Sequence, residues 1–180
     1  MRPLVMLSVF MAVLLVGDCL QAEAQDVRVP KKPQSLLAPG QPAPAFVSRD
    51  AQGKAVALRE YLGHPVILNF WATWCAPCRQ EMRVLQATYE VHKAAGLAVL
   101  AVSQDAPDSA GLVSAYWASM ALTFVPLLDP EGSVATDYSV FVLPSTVFIH
   151  PSGTVAAVHL GALTQTQMER YLSTIMPQAG

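Results

Sequence analysis

The sequence predicts an α/β domain in which helices cover a mixed central sheet. Three observations lead there. "PVILNFWA" (residues 65–72) is an unbroken, β-rich apolar run of the kind buried on both faces of a sheet. "PCRQEMRVLQATYEVHKAAG" follows with helical spacing, and "LAVLAVS" is a second buried run that completes a βαβ unit. The 180 residues are 53% hydrophobic and 13% charged, enough for one well-cored domain and too few for two ordinary ones. A formal net charge of -2 supplies no basic field for phosphates, so nucleic acid is not expected as a partner.

The chain opens with Arg2, the apolar stretch "LVMLSVFMAVLLVG" (residues 4–17) and the triplet Ala22-Glu23-Ala24, which read as the three regions of an export signal. Residues 1–24 are thus expected to be a signal peptide whose removal leaves Gln25 first. The apolar run, about 14 residues, falls short of the roughly 20 that span a bilayer, although an uncleaved N-terminal anchor is the alternative. A third option is lipidation at Cys19. "LLVGDC" resembles the lipobox of bacterial lipoproteins, but Asp18 stands where that family carries a small residue. If Cys19 leaves with the signal, only Cys75 and Cys78 remain, in a compartment where disulfides persist.

Residues 25–39 form a Pro-rich linker, and with Pro42 and Pro44 the lead-in stays extended because proline cannot continue a helix. The compact domain is expected over residues 40–180. In its first long helix Met82, Leu85, Tyr89 and Val91 fall on or near one side, and Gly96 ends it. "QDAPDS" offers caps for a second helix, "AGLVSAYWASMAL"; "FVPLLD" is a shorter strand, and "DPEG" is a turn. "STVFIH" and "TVAAVHLG", joined by "PSG", suit a hairpin. "TQTQMERYLSTIM" has Thr164 and Gln167 at capping-box spacing and closes the chain as a helix. Phe70, Trp71 and Trp117 are expected in the core.

"WCAPCRQE" places a Cys-x-x-Cys pair where a strand gives way to a helix. A helix N-terminus carries about half a positive charge and free N–H groups, which favour a thiolate on the first cysteine. Cys75 is therefore the expected nucleophile. Pro77 suits the first turn, where its missing N–H has no partner to lose. Cys78, one turn in and less exposed, would resolve the mixed disulfide. A zinc site would need two more ligands, and His64, His92, His150 and His159 lack the spacing for one. A purely structural bridge across so small a loop would constrain little entropy.

"FWATWCAPC", with "PGQPAPAF" before it and "YSVFVLPSTVFIHPSG" after it, resembles the exported thioredoxin-like proteins of the TlpA, ResA and cytochrome c biogenesis (CcmG/DsbE) group, from about Gly40 to the end. The resemblance implies a thioredoxin fold with an N-terminal extended or hairpin extension, Cys75 and Cys78 as the active pair, and no cofactor beyond that redox-active disulfide. It implies a cis Pro144 facing the pair, with the Leu143 backbone free to pair with a substrate strand, and Trp74 on an exposed rim for substrate contact. Thioredoxin has an acid six residues before its first cysteine; here that position is Asn69, which cannot accept a proton. The TlpA-like group instead resembles this chain in Glu81, one turn beyond Cys78, which becomes the candidate acid/base; otherwise it is a solvated helix residue. Ser145 replaces the acid that often follows the proline in cytochrome c biogenesis members.

These readings imply an exported, periplasmic thiol-disulfide oxidoreductase acting as a monomer on protein thiols and disulfides, and the resemblance alone implies a reductive direction, of the cytochrome c or copper-site maturation type. An electron donor, such as a membrane thiol reductase, would restore the dithiol. Two rivals are a thiol peroxidase, since "GQPAPAF" also occurs in peroxiredoxin-like proteins, and a copper-binding chaperone. Against the first, Ala72 stands where a peroxidatic site carries threonine; against the second, the cysteine spacing is too narrow and no partner histidine is placed.

Overall fold

A computed structural model describes residues 37–177. The expected signal peptide, Cys19 and most of the Pro-rich linker lie outside the described residues. At the centre is β3 (Val66–Trp71), all six residues buried. It pairs in parallel with β4 (Ala98–Ser103) and antiparallel with β6 (Ser145–Ile149). β5 (Val125–Leu128) extends the parallel set, and β7 (Val155–Leu160) pairs antiparallel with β6. A hairpin of β1 (Val47–Asp50) and β2 (Ala55–Ala57) borders β5, so the seven strands run β2-β1-β5-β4-β3-β6-β7. The extended lead-in is tied to the turn before β7 by Gly40 N–H to Val155 O and Ala43 N–H to Gly153 O.

Both parallel crossovers pass over the same face. α1 (Ala76–His92) links β3 to β4, α2 (Ala110–Ser119) links β4 to β5, and α4 (Gln165–Ile175) joins them. There Ile67, Trp71 and Phe148 pack with Met82 and Leu85 of α1, Trp117 of α2, and Met168 and Leu172 of α4. The opposite face buries Val66, Leu68, Phe70, Leu100 and Val102 against Phe46 of the lead-in and α3 (Ser133–Asp137). Phe70, Trp71 and Trp117 are core residues, as expected. Thr164 and Gln167 form both bonds of the capping box that starts α4.

Three expectations need correction. Val91, expected on the packed side of α1, is 72% exposed. Six residues past Leu85 it lies about 240° round the helix, away from the buried stripe. "DPEG" is a turn, closed by Gly132 N–H to Asp129 O, but the expected order lacked the short α3 that follows it, whose Val134 N and Ala135 N donate to Asp129. The caps expected in "QDAPDS" do not serve α2, whose N-cap Ser109 makes no side-chain bond; Asp105 is engaged elsewhere.

Candidate active site

β3 ends at Trp71, and the chain turns over residues 72–75 into α1. Cys75 is the N-cap of α1, with its Sγ accepting from Cys78 N at 3.3 Å. That bond is the local form of the helix-end field: an amide with no partner inside the helix points at sulfur. Cys75 and Cys78 form a disulfide with a Cα–Cα distance of 5.3 Å. Cys75 keeps 5% of its surface and Cys78 none. Pro77 lies in the first turn of α1. Trp74 is 67% exposed beside the nucleophile position.

The Leu143–Pro144 peptide is cis. Because Phe70 pairs with Ser145, this turn lies at the same sheet end as the cysteines. Leu143 packs against the cluster that holds both of them. Ser145 Oγ donates to Val142 O at 2.7 Å, and Gly161 N–H to Pro144 O at 2.9 Å. No hydrogen bond occupies the Leu143 backbone among the described residues. Ser145 therefore braces the turn.

Glu81 is not a solvated helix residue. It is 1% exposed, on the buried side of α1. Asn69 Nδ2 donates to its Oε2 at 3.1 Å, while Thr146 Oγ1 (3.3 Å) and Leu163 N (3.2 Å) donate to Oε1. Asn69 and Thr146 are partners in the β3–β6 register, 2.9 Å apart through Nδ2 and Oγ1. Burial pushes the Glu81 carboxyl up to about 7, against the three donors, which favour its ionised form. Glu81, carried by the adjoining helix, thus presents its carboxyl to the asparagine at position 69.

One polar contact escaped the sequence reading. Asp105, just beyond β4, is 5% exposed. Its carboxylate accepts from Thr73 N at 3.0 and 3.2 Å, Thr73 Oγ1 at 2.6 Å and Ser103 Oγ at 2.7 Å. Arg79 donates to Thr73 O at 3.3 Å, so the residue before Trp74 is held from two sides. The sequence signal is weak, an aspartate in a turn-rich "QDAPDS" segment. Among the described residues no group of three or more His, Cys, Asp or Glu side chains could hold a metal ion.

The AhpC/TSA family model matches residues 39–158. Thiol-disulfide oxidoreductase ResA of Geobacillus kaustophilus is 35% identical over 144 residues, which cover 80% of this chain and 82% of that protein. The chain belongs to the ResA-type thiol-disulfide oxidoreductases. ResA of Bacillus subtilis is 34% identical over 141 residues, 78% of each chain. A Chlorobium tepidum structure named for the thiol:disulfide interchange protein DsbE superposes with a TM-score of 0.70 at 31% identity, covering 76% of this chain and 96% of its own. The ResA-type chain thus has a thioredoxin fold, and its Cys75–Cys78 pair makes it an enzyme of disulfide exchange.

Proposed function

We propose that the protein is exported and reduces disulfides in client proteins, of the kind that keeps thiols available for cytochrome c or copper-site maturation. The observation that carries this is the Cys78 amide aimed at Cys75 Sγ on a helix N-terminus. In the dithiol form it favours a Cys75 thiolate over a thiol. That thiolate attacks one sulfur of the client disulfide; the client S–S bond breaks, one client thiolate leaves, and a mixed disulfide forms. Cys78 then loses its proton and attacks Cys75 Sγ, freeing the second client thiolate. The client gains two electrons and this chain keeps the new Cys75–Cys78 bond.

Glu81, one turn beyond Cys78 and with a carboxyl poised near neutrality, suits the transfer of the Cys78 proton. The open Leu143 backbone beside Pro144 offers main-chain pairing, and Trp74 offers an apolar contact, so clients are bound without strict sequence demands. Re-reduction falls to a separate donor, a membrane thiol reductase. The N-terminal signal pattern and the likeness to ResA support export.

The test is Cys78→Ser in the exported compartment, which should leave Cys75 bonded to clients. Absence of any Cys75-dependent adduct would remove this reading. A reduction potential near the roughly -270 mV of thioredoxin would support reduction, and one near the roughly -120 mV of DsbA would reverse the direction.

A further inference from the structure

We propose that the groove between α1 and α2 seats the client segment flanking the reactive disulfide, and that this segment carries an acidic side chain beside an apolar one. The proposal rests on the disulfide-exchange reading and names the client chemistry it selects. Two hollows adjoin along the helices. One, about 470 Å³, is floored by Trp74, Leu112 and Ala115; the other, about 510 Å³, lies over Gln80, Arg83 and Met120. Arg79 and Tyr116 line both.

The first hollow is apolar, with Leu112 55% exposed and Trp74 67%. The second is cationic. Arg79 and Arg83 stand one turn apart on α1, and neither pairs with a carboxylate among the described residues. Both guanidinia act on the Tyr116 hydroxyl, whose pKa burial raises and they lower. A carboxylate answers both guanidinia; an ammonium would meet two like charges.

Spacing sets where that carboxylate belongs. α1 rises 1.5 Å per residue, so Arg79 and Arg83 lie about 6 and 12 Å beyond Cys75 along its axis. An extended peptide advances about 3.3 Å per residue. The acidic residue should therefore stand about two to four residues from the client cysteine.

The experiment uses two synthetic peptide disulfides, identical except for glutamate or lysine three residues from the cysteine, and uncharged 2-hydroxyethyl disulfide as reference. The reduced protein should react about fivefold faster with the glutamate peptide, and the preference should vanish near 1 M salt, where the screening length falls to about 3 Å. Arg83→Gln should remove most of the preference and Arg83→Glu should invert it, each leaving the rate with 2-hydroxyethyl disulfide unchanged. Equal wild-type rates for the two peptides, or a preference unaltered by both Arg83 variants, would overturn the proposal. Failure to reduce any of the three disulfides would overturn the disulfide-exchange reading, and the proposal with it.

Discussion

Alternate residues of β3 enter two different interiors. Val66, Leu68 and Phe70 join a cluster of aliphatic and aromatic side chains, where the Phe70 ring lies 5.6 Å from that of Tyr138. On the other side Asn69, between Ile67 and Trp71, meets the Glu81 carboxyl and the Thr146 hydroxyl beneath the helix that carries both cysteines. The first interior can hold the sheet by apolar burial alone, whereas the second also keeps a titrating group dry. The contrast teaches that a polar residue at an inward position of a buried strand is a marker for the functional face, since unpaired it would cost about 1–3 kcal/mol.

That contrast can be broken in graded steps. Cys75→Ser should reduce disulfide exchange to background while moving the urea midpoint little from that of the reduced wild type, as the side chain is nearly isosteric with the thiol; residual exchange above background would place the nucleophile elsewhere. Leu68→Ala, on the apolar side and fully buried, should cost about 3–4 kcal/mol in urea unfolding. The thiol titration of the remaining folded protein should be unchanged; a shifted titration would show that the two interiors are coupled.

Glu81→Gln probes the other side. A carboxyl raised from 4.5 to about 7 stays protonated in the fold while the unfolded chain ionises. The contribution of Glu81 to stability should therefore be full below pH 4.5 and be lost as pH rises through about 7, by about 3 kcal/mol from the 1.36 kcal/mol per pKa unit. Glu81→Gln should flatten this slope and move the Cys78 titration to lower pH, because a neighbouring negative charge is removed. Urea curves collected across that pH range, with thiol titrations of both proteins, check it; superimposable titrations would make Glu81 structural only.

The smallest effect is expected at Asp105. Asp105→Ala should lower the exchange rate by about 2 kcal/mol in barrier terms, since charge-assisted bonds to Thr73 are lost. Asp105→Asn, which can still accept from Thr73 N, should recover most of it. Equal rates for Ala, Asn and wild type would show that holding Thr73 does not position the pair.

Strand β3, helix α1 and strand β4 were legible because local pattern alone specifies them: two continuous apolar runs around a helical stripe. Cys75 and Pro77 were legible for the same reason, since a helix start is a local event. The burial of Glu81 was not. It depends on Thr146, 65 residues away, and Leu163, 82 residues away, arriving through strand register and the turn before α4. Its place one turn beyond Cys78 marks Glu81 as a candidate, but nothing local tells its burial from the exposure of Glu90, which pairs with Lys93 at the surface. Val91 is apolar but sits off the buried stripe of α1, so hydrophobicity without the angle round the helix misplaces it. Asp105 was hidden by chemistry common to caps and clamps: both are short carboxylates accepting backbone N–H groups.

The placement of the cysteine pair directly beyond β3 also has a consequence for motion. β3 is hydrogen-bonded on both sides and buried along its length, so its amides should exchange with solvent deuterium only when the whole domain opens. Residues 73–75 depend instead on Asp105 and the first turn of α1, and their amides should open locally, on a faster timescale. Reduction can therefore loosen the rim that meets a client while the strand beneath stays closed, and repeated turnover need not expose the interior to proteolysis.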